Sequence, residues 1–296
     1  MKNMKAPIST LQLSYGESQE VQALANSLAQ SILKPKRMRS LAERTTELLP
    51  DSLLKRMQPL LSARQPVPWR MGPFFFHVTQ LESTPTDKPP NHPGTSLSEA
   101  AATLILISSV LGKVITYRKM KQSGKLFQSV FPIKELSQTQ TAASSCEALT
   151  WHTEHATKKL IPDYLALFCL RNPKEVGTTI SVPQVNTLKS EHLVHLRKLG
   201  VISRRNGCTR LRYDPLFSPP PENDIPAQKA YEELGQTIQD QAQVIAQVPG
   251  YIVMIPNTTS VHARESFHAD FNGHDRWLIR TMIRTTSRTT QGTRGL

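Results

Sequence analysis

Leu149-Thr150-Trp151-His152-Thr153-Glu154 reads as an extended segment, and its partner, Val261-His262-Ala263-Arg264, lies more than a hundred residues downstream. In extended chain, side chains two apart share a face. His152 and Glu154 therefore emerge together, with Thr153 turned away. Joined by the distant His262, they would offer two imidazoles and one carboxylate to one face of a metal ion and leave the opposite positions open. A zinc deaminase also carries His-x-Glu, but it completes its site with a Pro-Cys-x-x-Cys segment. Cys146, Cys169 and Cys208 are too scattered to form one. A zinc hydrolase on the same three ligands stays open.

Working outward, 296 residues with 38% hydrophobic and 20% charged content describe a globular chain able to bury a full core. The longest apolar run, Ala100 to Leu111, is interrupted by Thr103, Ser108 and Ser109 and is too short to span a bilayer. The N-terminus lacks the apolar centre of a secretory signal, so a cytoplasmic protein is expected. Three cysteines without close partners in sequence argue against a disulfide framework. The net charge of +13 is dispersed over Lys34 to Arg39, Arg118 to Lys121, Arg204 to Arg212 and a C-terminal arginine series. Dispersed charge suits solubility and attraction of anionic small molecules better than a nucleic-acid surface.

Helical periodicity runs over Ser18 to Leu33 and again over Ser40 to Leu61. Pro73 to Val78 reads as a short aromatic strand, and Glu82 to Gly94 as a loop. Ser96 to Leu111 reads as a helix capped by Ser96 or Ser98 and closed by Gly112. Strand texture follows at Val114 to Tyr117, Leu126 to Phe131, Ala148 to Glu154, Tyr164 to Leu170 and Thr178 to Val182. Helices are expected over Asn186 to Leu199 and Pro226 to Ala246, around a basic strand pair near Val201 to Tyr213. Tyr251 to Pro256, a turn at Val261-His262 and Arg276 to Ile283 complete the core. Many short strands joined by polar turns point to a mainly β fold with flanking helices, a jelly roll or barrel.

Three segments in order carry a family resemblance: Leu149 to Glu154, Pro162 to Arg171, and Val261-His262-Ala263-Arg264 with Phe267 and Phe271-Asn272-Gly273-His274-Asp275-Arg276-Trp277-Leu278-Ile279-Arg280. Together, over about Leu104 to Thr281, they resemble the clavaminate synthase-like branch of the Fe(II)/2-oxoglutarate-dependent oxygenases. The resemblance implies a double-stranded β-helix, the jelly roll anticipated above. It implies that His152, Glu154 and His262 ligate iron. Arg276, fourteen residues past the last ligand, matches the arginine that grips the distal carboxylate of 2-oxoglutarate. A buried dicarboxylate calls for such a planar, bidentate cation. Thr178 or Thr179 would add a hydroxyl to the cosubstrate, and Arg280 matches the arginine that holds an amino-acid carboxylate. Gln138, Gln140, Ser144 and Ser145 are the nearby polar candidates for substrate contact. Two positions depart from the pattern: Pro249-Gly250-Tyr251 stands for the usual Pro-Gly-Asp, and Ile255-Pro256-Asn257 for the usual Asp-Asn.

A single oxygenase domain over 1–296 is expected, with a mostly helical buttress at 1–112, core strands at 113–183 and 248–284, and a lid insertion at 184–247. The activity implied is hydroxylation of a free amino acid or small amino-acid derivative, with O2 consumed and 2-oxoglutarate converted to succinate and CO2. Its partner would be a small molecule, neither nucleic acid nor membrane, with the oligomeric state open. The alternatives are an oxygenase for a carrier-bound or nucleic-acid substrate, and a degenerate cosubstrate-binding protein suggested by the missing acids.

Overall fold

Tyr164–Arg171 is the innermost strand, and all of its residues but the last are buried. Tyr164, Ala166, Phe168 and Leu170 enter one apolar cluster, while Leu165, Leu167 and Cys169 enter another on the opposite face. A strand covered on both faces cannot alternate apolar with polar, which is why this segment reads as an unbroken apolar run. The structure, a computed structural model, describes residues 8–63, 66–75, 81–117, 124–205 and 207–285. The expected aromatic strand falls partly outside these residues, as do the basic cluster at 118–121 and the arginines past 285.

The strands are β1 (Ser9–Gln12), β2 (Trp69–Gly72), β3 (Lys113–Ile115), β4 (Gln128–Val130), β5 (Leu149–His152), β6 (Tyr164–Arg171), β7 (Thr178–Ser181), β8 (Ile202–Arg205), β9 (Cys208–Leu211), β10 (Gln243–Ile245), β11 (Ile252–Pro256), β12 (Val261–Arg264) and β13 (Trp277–Arg284). The larger sheet runs β1-β2-β11-β6-β13-β3, with β4 also paired to β13. The smaller sheet runs β10-β7-β12-β5, and β8 and β9 form a separate hairpin. One cluster joins Leu167, Val253, Leu278 and Met282 of the larger sheet to Ile180 and Ile245 of the smaller, so the sheets pack face to face.

The helices are α1 (Tyr15–Ala29), α2 (Pro35–Thr45), α3 (Asp51–Leu61), α4 (Thr95–Leu111), α5 (Ser190–Lys198) and α6 (Ile225–Asp240). The first four cover the outer face of the larger sheet. Helix α4 is apolar nearly all round and buried accordingly, with the Ser108 hydroxyl meeting that of Thr281 on β13 at 2.8 Å. It begins from Gly94 and not from Ser96 or Ser98: Ser96 is buried, and the Ser98 N–H already closes the first turn on the Gly94 carbonyl. Gly112 does end it, at φ 155°, where a Cβ would stand 2.3 Å from the Arg284 carbonyl oxygen. Helices α5 and α6 and the β8–β9 hairpin form a third cluster around Leu196, Leu211, Tyr231 and Leu234.

Four expectations need correction. The architecture is mixed helix and sheet, not mainly β, because both the first hundred residues and the insertion are built on helices. The pattern over Ser40 to Leu61 breaks at Pro50, which lacks the N–H a continuous helix requires and instead precedes α3. Helix α6 stops at Asp240, and Gln243–Ile245 becomes a strand because β7 offers it a partner: Val244 lies opposite Thr179. Val261–Arg264 is likewise a strand and not a turn, since β5 and β7 pair with it from both sides. Among the described residues, no helix is long and apolar enough to cross a membrane.

Candidate metal centre and anion pocket

His152 and His262 sit directly opposite each other on β5 and β12, and their rings lie 4.3 Å apart, centroid to centroid. The His152 Nδ1 donates to the Thr150 carbonyl at 2.7 Å, which fixes the tautomer and leaves Nε2 as the free lone pair. Glu154 follows just past the end of β5, with its Oε2 3.8 Å from the His262 Nε2. One ligand atom from each of His152, Glu154 and His262 falls within 4.8 Å of the other two, a spacing that a single metal ion can bridge.

Electrostatics favour that use. Burial alone would raise the Glu154 carboxyl, but Arg280 first, then His152, His155 and His262, hold it down at about 2. Burial pushes the His262 imidazole down to about 3, helped by His152. The group is thus a carboxylate beside a neutral imidazole, the protonation state that metal binding demands. His155 stands 3.4 Å from Glu154 Oε1 with its ring against Tyr117, so it is not turned away as strand alternation alone would have it.

The cavity beside these residues lies between the sheets and is lined by Val130, Leu149, Leu165, Leu167 and Leu278 together with Thr178, Arg264, Arg276 and Arg280. Arg276, only 6% exposed, precedes β13 and has its guanidinium pulled down to about 10 by burial. Its Nε has no hydrogen-bond partner, and no carboxylate pairs with it among the described residues. The loop behind it is tied down by hydrogen bonds. The Asp275 carboxylate accepts the N–H groups of Asp270 and Phe271, Thr84 donates to the Asp275 carbonyl, and Arg171 donates to Thr84 and to Gly273. Arg280 is differently placed: its Nη1 donates to Glu154 Oε2 at 2.9 Å and its Nε to Gln128 Oε1 at 2.8 Å.

Thr178 is buried in the cavity wall and accepts from Gln247 Nε2 at 2.9 Å, whereas Thr179 points to the other face of β7 and does not line the cavity. The polar candidates from the segment before β5 do not reach it either. Gln138 is exposed, Gln140 ties itself to Glu147 and to the backbone of Ala148 and Thr150, and Ser144 accepts from Arg264 at 2.6 Å. Ser145 is fully buried behind them. The residue missed is Gln128. Its signal was a buried amide inside the apolar strand Leu126 to Phe131, recognisable only once Arg280 is known to face it. The two departures lie away from the cavity: Tyr251 stacks under Arg70 and reaches Gln12, and Pro256 ends β11 opposite Tyr164.

No protein-family model matches the sequence. Individual relatives do. Enduracididine beta-hydroxylase of Streptomyces hygroscopicus is 34% identical over 250 residues, covering 69% of this chain and 72% of that protein. L-ornithine/L-arginine 3-hydroxylase of Catenulispora acidiphila is 27% identical over 225 residues, covering 60% and 65%. Among solved structures, the non-heme iron oxygenase OrfP in complex with Fe and alpha-ketoglutaric acid superimposes with a TM-score of 0.86 at 25% identity, over 98% of both chains. The likeness to these proteins, together with a two-histidine, one-carboxylate cluster facing a buried arginine, places the chain in the clavaminate synthase-like branch of the Fe(II)/2-oxoglutarate-dependent oxygenases.

Proposed function

We propose that the protein hydroxylates a free amino acid or small amino-acid derivative, with iron held by His152, Glu154 and His262 and the distal carboxylate of 2-oxoglutarate taken by Arg276. The observation that carries this reading is Arg276 itself: a buried guanidinium with an orphaned Nε and no protein carboxylate, on the wall of the cavity that holds the three ligands. A buried cation left unpaired is costly, and a bidentate anion relieves the cost. Bound iron and 2-oxoglutarate supply the oxidising chemistry, consuming O2 and releasing succinate and CO2 as a substrate C–H bond is hydroxylated.

The chain's own residues bind, orient and shield. The Thr178 hydroxyl stands in the same cavity wall as Arg276 and suits a second bond to the cosubstrate. Arg280 has Nε and Nη1 committed to Gln128 and Glu154, which leaves Nη2 for a substrate carboxylate. Leu149, Leu165, Leu167 and Leu278 exclude water around the reacting centre. In this reading the two facing sheets form a double-stranded β-helix, and the insertion at 184–247, less the strand β10 that belongs to the smaller sheet, closes over the cavity. The relatives' names, an enduracididine hydroxylase and an ornithine/arginine hydroxylase, support an amino acid as substrate.

The test is succinate release from 2-oxoglutarate under Fe(II) and O2 against a panel of free amino acids including arginine, ornithine, lysine and asparagine. Stimulation by one or a few of them is the expected result. Uncoupled turnover that no amino acid stimulates would remove the substrate assignment, and absence of any turnover would favour a binding protein.

A further inference from the structure

β5 ends at His152, so strand alternation does not bring Glu154 to the side of its partner ligand. Something else must hold it there. Asn257, fully buried in the turn between β11 and β12, accepts the Glu154 N–H on Oδ1 at 2.8 Å. Its Nδ2 donates to the Glu154 carbonyl at 3.1 Å and to the Pro162 carbonyl at 3.0 Å. One amide thus grips both backbone ends of a single residue. The Asn257 backbone is fixed in turn, its N–H donating to the Asp163 carbonyl at 2.9 Å. On the other side, Thr153 and Tyr213 exchange two bonds, Thr153 N–H to the Tyr213 carbonyl at 2.7 Å and Tyr213 N–H to the Thr153 hydroxyl at 3.1 Å.

We propose that Asn257 is a positioning residue for the metal centre: by clamping the backbone of Glu154 it registers the His152–Glu154 arm against the turn that leads into His262, and so sets metal affinity. The inference rests on the reading of His152, Glu154 and His262 as the metal site. Its physical content is preorganisation. Without the clamp, the residues after His152 leave the strand with an orphaned N–H and two orphaned carbonyls, and the carboxylate must be ordered at the moment of binding. Aspartate cannot substitute, because its carboxylate would face two carbonyl oxygens with no donor to offer them. Loss of a group that orients a metal ligand costs about 10–100-fold in metal affinity.

Asn172 provides the matched control. It is also buried and also makes three bonds, two from Nδ2 to the Val176 and Gln247 carbonyls and one to Oδ1 from the Val176 N–H, but it touches no metal ligand. The experiment titrates the full-length metal-free protein with Co(II), read by its d–d absorption, alongside thermal melts with and without metal. The proposal expects Asn257→Ala and Asn257→Asp to weaken Co(II) binding about 10–100-fold and to shrink the metal-induced rise in melting temperature, while Asn172→Ala loses stability but keeps wild-type Co(II) affinity. Should Asn257→Ala fail to fold, Asn257→Ser is measured in its place, with the same expectation. Wild-type Co(II) affinity in a folded Asn257 variant, or an equal loss in Asn172→Ala, overturns the inference while leaving the metal site standing. Wild-type protein that binds no Co(II), or His262→Ala that binds it fully, overturns the metal site as well.

Discussion

The larger sheet presents Arg280 from within β13, held by β6 on one side and by β3 and β4 on the other, and Arg276 from the residue just before that strand, whereas the smaller sheet presents His152 from an edge strand and Glu154 from no strand at all. The arginines inherit their positions from alternating apolar packing: Trp277, Ile279 and Ile283 lock into the helical side, and Leu278 and Met282 into the space between the sheets. The three candidate metal ligands depend instead on a few polar bonds. His152 is oriented by the Thr150 carbonyl, and Glu154 by Asn257, Arg280 and the Thr153–Tyr213 exchange. Apolar packing is broad and tolerates single losses. A polar clamp concentrates its effect in one or two atoms, so the two halves of the site should fail differently under mutation.

The most severe failure is expected on the smaller sheet. His262→Ala removes one of three candidate protein ligands and should abolish turnover while leaving the circular-dichroism spectrum near that of the parent, since none of the three apolar clusters needs the metal. Retained iron and activity in this variant would dissolve the contrast. On the larger sheet, Arg276→Ala should raise the 2-oxoglutarate concentration needed for half-saturation by about thirty-fold to several thousand-fold, the equivalent of about 2–5 kcal/mol for one partner of a buried charge pair. Metal affinity measured without cosubstrate should stay close to wild type. A parallel fall in both would mean that the arginine supports the ligands and not the anion.

With iron kept saturating to offset the loss of its bond to Glu154, a smaller and more selective effect is expected from Arg280→Ala. Losing a charged hydrogen bond costs about 1.5–3 kcal/mol, so the amino-acid requirement should rise about 10- to 150-fold while that for 2-oxoglutarate changes much less. The reverse split would exchange the roles of the two arginines. Smallest is the change far from the site, in the N-terminal helices. Ser14 and Glu17 form a reciprocal cap on α1, and Glu17 also takes Ser52 and Arg56. Ser14→Ala should cost about 1 kcal/mol of stability and nothing in catalysis. Burial alone would raise the Glu17 carboxyl, but the Ser14 N–H, the Ser52 and Ser14 hydroxyls and Arg56 together hold it below its ordinary 4.5. Its folded-state pKa is depressed, so its contribution is present above about pH 4.5 and lost as pH falls further. Melts at pH 6 and pH 3.5 should therefore differ less in Glu17→Gln than in the parent.

What was legible in the sequence divides along the same line. β6, β11 and β13 announce themselves as apolar runs, and Arg276 and Arg280 do share a cavity, although Arg276 lies just before β13 and a register shift separates Trp277 from Leu278, so even spacing on one strand is not the reason. The ligand trio was legible as residue types at a spacing, although the physical reason first assigned to Glu154 fails: the strand stops before reaching it. The roles of Asn257, quoted only as part of a family pattern, and of Gln128, visible only as an amide in an apolar strand, could not be read locally, because the contacts that define them span 103 and 152 residues of chain. The same holds for β10, whose fate as a strand depends on β7 lying alongside.

Leu196, Leu211, Ala230, Leu234 and Ile238 close a core between α5, α6 and the β8–β9 hairpin that touches the smaller sheet at Val261 and Trp151, while the outer faces of these elements meet neither sheet. The exterior of that insertion can therefore accumulate substitutions without disturbing either sheet. If the insertion proposed to close over the cavity also chooses the substrate, reaction and choice of molecule reside on parts of the chain that mutation can reach separately. Such a lineage can try new substrates one surface residue at a time without first surrendering the chemistry it already performs.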